Sequence, residues 1–128
     1  MGATDEQMQL TNPLGTDGFE FVEYTAPDTA DLGRLFEAMG FQRIARHRSK
    51  DVSLYRQGRI NFIVNAEPNS LAQRFARDHG PSVCAMAFRV KDAARALAHA
   101  VAAGAKEVKA PWVRWSSTFR RSRAWAEA

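Results

Sequence analysis

The same order of hydrophobic patterns occurs twice along this chain, and a repeated supersecondary unit restricts the fold more than any other feature here. Phe19-Glu20-Phe21-Val22-Glu23-Tyr24 alternates as a strand does, and Pro27 and Asp28 close it. Asp28 or Thr29 can cap a helix in which Leu32, Leu35, Phe36 and Met39 recur at helical spacing, with Gly40 as its stop. Three strands follow at Phe41–His47, Val52–Arg56 and Ile60–Ala66, with turns at Ser49-Lys50-Asp51 and Gln57-Gly58. Asn69 or Ser70 then caps a helix carrying Leu71, Ala72, Phe75 and Ala76, which ends at Gly80. Val83–Val90 is a near-continuous apolar run of strand length, expected to be buried on both faces. Asp92 caps a helix with a stripe of Ala94, Leu97, Ala98 and Val101, Gly104 ends it, and Ala105–Ala110 reads as one more strand. The expected class is α+β: one complete βαβββ unit over residues 18–66, then an incomplete second unit of βαβ type.

Composition narrows the function classes. In 128 residues, 45% hydrophobic and 25% charged, there is material for one modest core and no signature of disorder. No apolar run approaches the ~18 residues that span a bilayer, so no membrane role is expected. The polar, acidic segment 1–17 reads as a flexible N-terminus rather than a signal or transit peptide. Cys84 is the sole cysteine, which excludes an internal disulfide and a zinc ribbon and fits a cytoplasmic protein.

The net charge of +4 is not spread over the chain. Residues 1–111 hold 14 Lys/Arg against 13 Asp/Glu, whereas 112–128 hold Arg114, Arg120, Arg121 and Arg123 against Glu127 alone. Trp112, Trp115 and Trp125, all the tryptophans of the chain, fall in that last stretch. Alternating Arg and Trp can imitate a single-strand nucleic-acid surface. GC-rich codons read out of frame also give excess Arg, Trp, Ser and Ala. Shifted by two bases, with permitted synonymous codons, the tail reads Gly-Pro-Val-Glu-Leu-Asn-Ile-Pro-Ala-Ile-Glu-Gly-Val-Gly-Gly-Ser. The expectation is a frameshift at or just before Trp112 with a premature stop, a tail unsuited to form a strand, and no nucleic-acid partner.

Individual polar groups offer little chemistry of their own. His47, His79 and His99 lack H-x-H or H-x-x-x-H spacing and read as structural or surface residues. Cys84 sits inside an apolar strand and reads as a small hydrophobe rather than a nucleophile. Arg46-His47-Arg48-Ser49-Lys50 reads as a solvated basic turn. No glycine-rich phosphate motif is present.

Several segments together carry a family resemblance: His47-Arg48-Ser49-Lys50, Leu54-Tyr55-Arg56-Gln57-Gly58, Ile60-Asn61, Asn65, Glu67-Pro68-Asn69-Ser70, His79-Gly80-Pro81-Ser82-Val83-Cys84 and Met86-Ala87-Phe88-Arg89-Val90-Lys91-Asp92. Over Gly18 to Ala110 the chain resembles the N-terminal domain of bacterial 4-hydroxyphenylpyruvate dioxygenase. That family belongs to the vicinal oxygen chelate (glyoxalase/bleomycin resistance) superfamily, built from paired βαβββ units. The resemblance implies a domain at 18–111 taken from an oxidoreductase of tyrosine catabolism, which converts 4-hydroxyphenylpyruvate and O₂ to homogentisate and CO₂.

In that family two histidines and a glutamate of the C-terminal catalytic domain hold Fe(II). The resemblance therefore implies no catalytic, cofactor-binding or metal residue in this chain, and no cofactor of its own. It places Ala85 where a metal-binding domain carries a histidine ligand, and Glu20 near a first-ligand position. A lone carboxylate is not a two-histidine, one-carboxylate triad. The chain is expected to be an inactive, non-catalytic fragment, marginally stable and self-associating because its second unit leaves a sheet edge open. The rival reading is a small vicinal oxygen chelate module that binds an apolar or aromatic ligand.

Overall fold

The computed structural model describes residues 12–108 and the backbone of 125–127. Six strands and three helices follow one another as β1 (Thr16–Thr25), α1 (Thr29–Ala38), β2 (Gln42–His47), β3 (Val52–Gln57), β4 (Ile60–Asn65), α2 (Leu71–His79), β5 (Ser82–Val90), α3 (Ala93–Ala102) and β6 (Trp125–Glu127). The strands form one mixed sheet in the order β5-β1-β4-β3-β2-β6. The expected α+β class and the complete first unit are present.

Local chemistry accounts for the element boundaries. Asp28 caps α1 by accepting from the Ala30 N–H at 3.0 Å. Ser70 Oγ accepts from the Gln73 N–H at 3.0 Å, while the Gln73 side chain reaches back to the Asn69 N–H at 2.7 Å. This reciprocal arrangement at the start of α2 satisfies one amide of the first helical turn and the amide of the residue before the cap. Asp92 Oδ1 accepts from the Arg95 N–H at 3.1 Å and opens α3. After α1, Gly40 adopts φ +95°, a left-handed turn available to glycine at little cost. β1 begins earlier than Phe19 because Asn12 brackets Thr16: its Oδ1 accepts from the Thr16 N–H and hydroxyl, and its Nδ2 donates to the Thr16 carbonyl.

By contact the described residues divide into two compact units, one of residues 20–87 with 125–127, the other of residues 12–19 with 88–108. In the larger, β1 pairs in parallel with β4, with Val22 opposite Phe62 and Tyr24 opposite Val64. A parallel pair needs a crossover, and α1 with the β2–β3 hairpin supplies it. β3 pairs antiparallel with both neighbours, and a register shift between Arg43 and Ala45 marks a bulge in β2.

The core lies between α1 and one face of the sheet, where Ala26, Leu32, Phe36, Phe41, Tyr55 and Val64 are buried with Tyr24 and Phe62 against them. Its centre is aromatic. Phe41 stacks on Phe62 at 4.4 Å, and Tyr24 meets Phe36 and Phe62 edge-on at 5.0 and 4.9 Å. Such pairs contribute about 0.5–1.5 kcal/mol each beyond their burial. In the smaller unit, Lys91 N–H donates to the Gly15 carbonyl at 3.1 Å and Phe19 stacks on Phe88 at 4.9 Å.

Three expectations need correction. Ala105–Ala110 forms no strand over residues 105–108, and its last two residues lie outside the described part. Its counterpart in the first unit, β2, draws its ladder from β3. A strand at that place has no ladder without the next strand of its own unit, and none is present among the described residues. Val83–Val90 does form a strand, but it is not buried on both faces: Val83, Met86 and Phe88 are exposed, because β5 ends the sheet. The tail does contribute a strand, since Trp125–Glu127 pairs antiparallel with β2, Ala45 facing Glu127 and His47 facing Trp125. An edge ladder uses backbone groups, which every sequence supplies. The rest of the expected tail, and the expected flexible N-terminus up to residue 11, lie outside the described residues.

Gly33 gives the sharpest test of this packing. A Cβ there would stand 2.6 Å from the Tyr55 hydroxyl oxygen, so α1 approaches β3 closely only because that position is bare. Gly33→Ala gains up to about 1 kcal/mol of helix propensity. The clash should outweigh it and lower stability by about 1–3 kcal/mol. Tyr55→Phe in the same chain should restore most of the loss, read as the urea midpoint. If Gly33→Ala stabilises the chain, the approach of α1 to β3 is wrong.

Candidate functional site

Register decides which polar side chains share the sheet face turned away from α1. Glu23 pairs with Ile63, Ile63 with Leu54 and Leu54 with Ala45. On the same face, Asn65 pairs with Val52 and Asn61 with Arg56. His47, two residues past Ala45, falls on this face at the end of β2. The middle of the face is apolar, with Val52, Leu54 and Ile63 buried. Polar groups stand at both ends of that apolar band. Glu20, expected near a ligand position, alternates with Val22 and Tyr24 and so belongs to the α1 side. The carboxylate on the open face is Glu23, which the sequence reading passed over.

Glu23 is held by Asn65, whose Nδ2 donates to Oε1 at 2.7 Å. The Asn65 Oδ1 accepts from the Glu67 N–H at 3.0 Å, and its main-chain carbonyl accepts from the Thr25 hydroxyl at 3.3 Å. Burial pushes the Glu23 carboxyl above its ordinary range, and the Asn65 amide partly offsets this. On β5, the Cys84 thiol donates to the Glu23 main-chain carbonyl at 3.6 Å. Burial, and then the Glu23 charge, push that thiol up to about 12, so at neutral pH it is not a thiolate. At the other end of β4, Arg56 Nε donates to Asn61 Oδ1 at 2.7 Å, and Asn61 Nδ2 donates to the Glu20 carbonyl at 3.0 Å. Both asparagines thus spend their amides tying β4 to its neighbours.

An open depression of about 560 Å³ is lined by Arg46, His47, Arg48, Ser49 and Lys50. His47 Nδ1 accepts from the backbone N–H groups of Ser49 at 3.2 Å and Lys50 at 3.1 Å. The turn amides that could cradle an anion therefore point at the imidazole. Partial burial, with Lys50 adding to it and Glu67 opposing, lowers the His47 pKa, in keeping with a ring that accepts at Nδ1. Arg46 pairs with Asp51 at 3.3 Å. His79 packs against Phe75 with the rings tilted by 40° in the last turn of α2, and His99 lies exposed on α3.

This arrangement offers one carboxyl whose pKa burial raises, one un-ionised thiol and one imidazole engaged in its own turn. Ala85, beside Cys84 on β5, has no donor atom. These residues do not fit an Fe(II) site of two histidines and a carboxylate. Among the described residues no three His, Cys, Asp or Glu side chains are grouped to hold a metal ion.

The raised Glu23 carboxyl makes stability depend on pH in a defined sense. The folded chain keeps this proton to higher pH than the unfolded chain does, so stability falls as pH rises from the ordinary carboxylate range to the raised value, then stays level. Glu23→Gln keeps an oxygen for Asn65 and removes the charge. It should raise the thermal midpoint at pH 7, and the gain should vanish near pH 4. A loss of stability at pH 7 would mean that the ionised carboxylate is the favoured partner of Asn65.

Residues 10–114 match the family model described as hydroxyphenylpyruvate dioxygenase, N-terminal. The chain is 63% identical over 101 residues to hemolysin VllY of Vibrio vulnificus, covering 77% of this chain and 28% of that protein. It is 56% identical over 97 residues to 4-hydroxyphenylpyruvate dioxygenase of Pseudomonas sp. strain P.J. 874, covering 76% and 27%. A solved xylose isomerase-like TIM barrel/4-hydroxyphenylpyruvate dioxygenase fusion protein superposes with a TM-score of 0.70 at 43% identity, over 75% of this chain and 16% of that one. The chain thus spans little more than a quarter of the curated relatives it matches. With its βαβββ unit and this match over most of its length, the chain belongs to the N-terminal domain family of hydroxyphenylpyruvate dioxygenases.

Proposed function

We propose that this chain is a non-catalytic N-terminal fragment of a 4-hydroxyphenylpyruvate dioxygenase-like enzyme of the cytoplasm. The parent converts 4-hydroxyphenylpyruvate and O₂ to homogentisate and CO₂ in tyrosine catabolism. Fe(II) and its ligands belong to the parent's C-terminal domain, with which this domain packs. The observation that carries the reading is how the open sheet face spends its polar groups. Asn61 and Asn65 join β4 to β1, and Glu23 faces an amide and is joined by no histidine in a metal-binding group among the described residues. That chemistry stabilises a scaffold and supplies no redox centre. Among the described residues, no helix is long and apolar enough to cross a membrane. Without its parent, the chain associates with copies of itself.

Oxygen uptake tests the non-catalytic reading. The purified chain with Fe(II), ascorbate and 4-hydroxyphenylpyruvate should consume O₂ no faster than the same mixture without protein. Saturable, substrate-dependent uptake would overturn it.

We also propose that 18–111 is the native domain and that 112–128 is translated out of frame. The support is compositional: every tryptophan and an excess of arginine appear abruptly after Pro111. Resequencing the locus from the Lys106 codon onward should find the alternate frame open into a histidine- and glutamate-bearing second domain. An alternate frame that closes at once would make the tail a native feature.

A further inference from the structure

We propose that His47 is a pH-sensitive latch on the turn between β2 and β3, closed while its imidazole is neutral and released at the Ser49 and Lys50 amides when the ring takes up a proton. The latch uses only bonds of this hairpin and the segment after β4, so it does not depend on the functional reading.

Donor and acceptor chemistry makes the ring a two-state element. The Ser49 N–H reaches His47 Nδ1 at 3.2 Å and the Lys50 N–H reaches the same atom at 3.1 Å, with the Ser49 hydroxyl 3.4 Å from it. A backbone amide only donates, so Nδ1 must offer its lone pair, and the neutral ring carries its hydrogen on Nε2. Protonation places a second hydrogen on Nδ1. The imidazolium then has no acceptor left, and both amide bonds become donor–donor contacts.

The far end of the turn is fastened separately. The Asp51 N–H donates to Glu67 Oε2 at 2.7 Å, and the Asp51 carbonyl accepts from the Ala66 N–H at 2.8 Å. The Lys50 carbonyl accepts from the Val52 N–H at 2.9 Å, and Arg46 pairs with Asp51 at 3.3 Å. None of these bonds uses the imidazole. Release is therefore confined to two amides, and the β2–β3 ladder, which begins at Arg46 and Ser53, keeps its register.

The charges around the ring oppose its protonation on balance. Partial burial lowers the His47 pKa most and Lys50 next, with Glu67 working against them. Arg46 and Arg48 flank the ring in the chain, Arg46 being paired with Asp51. On the adjoining β6, Trp125 stands opposite His47 and Glu127 opposite Ala45. The folded chain thus takes the proton less readily than the unfolded chain. Stability is full above the ordinary histidine range and falls as pH drops from the ordinary value to the lowered one.

NMR of the full chain tests the latch between about pH 8 and about pH 4, a range that spans histidine titration. At the upper end the ring nitrogens should report the Nε2–H tautomer. On acidification the Ser49 and Lys50 amide signals should move with the midpoint of the His47 ring, whereas the Asp51 amide, held by Glu67, should move far less. His47→Asn supplies a side-chain oxygen that accepts from amides two and three residues on and does not titrate. It should hold both amides at the latched positions throughout. His47→Ala, without an acceptor, should hold them at the released positions, and the unaltered chain should pass from the first set to the second. A ring that titrates while both amides stay at the His47→Asn positions overturns the latch, as does an Nδ1–H tautomer at the upper end. If His47→Ala does not fold, His47→Asn decides alone: a flat profile supports the latch, and one that titrates like the unaltered chain overturns it.

Discussion

The parallel ladder between β1 and β4 holds this domain together, because it joins segments about forty residues apart and everything between them must fold to let it close. A parallel pair cannot be made by a tight turn. The chain therefore has to form α1, cross the sheet, and return through two hairpins before Val22 meets Phe62. The crossover is fixed at its centre by aromatic rings: Phe36 of α1 touches Tyr24 of β1 and Phe62 of β4, so one helical side chain bridges the two strands that the ladder pairs. Closing so long a loop is entropically costly. The ladder is reinforced where that cost falls, by the Asn61 amide on the Glu20 carbonyl and the Asn65 amide on Glu23. The same bonds that make the fold possible consume the polar groups of the face that would otherwise offer chemistry.

What was legible in the sequence was local. Helix caps at Asp28, Ser70 and Asp92, the stop at Gly40, and the hairpins were readable because each follows from a few adjacent side chains acting on their own backbone. What failed was set by neighbours remote in sequence. The apolar run Val83–Val90 resembles a strand buried on both faces, and its pattern is that of a strand with cover. Whether cover is present depends on other strands, not on its own residues. Residues 105–108 of the expected strand Ala105–Ala110 failed for the same reason, having strand-like composition and no ladder to join among the described residues. Trp125–Glu127 went unforeseen in the opposite sense, since a three-residue edge strand asks only for an available backbone.

The candidate site was half legible for a related reason. Phe19–Tyr24 carries carboxylates at both parities, Glu20 and Glu23, and a strand read alone cannot say which faces the helix. The β1–β4 register settles it, since Glu23 falls opposite Ile63 and thereby joins the row of Leu54 and Ala45. The structural reading of His47 was accessible from its lack of a ligand partner at suitable spacing. Its actual task, gathering the Ser49 and Lys50 amides in a basic turn, depends on a local geometry that no spacing rule encodes.

The internal repeat ties the fold's strength to its weakness. In the first unit, β1 is flanked by β4 and its helix buries Leu32, Gly33 and Phe36. In the second, β5 has β1 on one side and ends the sheet, and α3 buries none of its side chains, leaving Leu97 and Val101 exposed. The two helices have similar lengths and caps, so helix propensity does not separate them. The difference is tertiary, because an amphipathic helix this short draws most of its stability from the surface it covers. The first unit has its ladder closed under α1 and can carry a core. Among its described residues the second has one strand and one helix with apolar side chains left exposed, so it adds little to the core that α1 closes in the first.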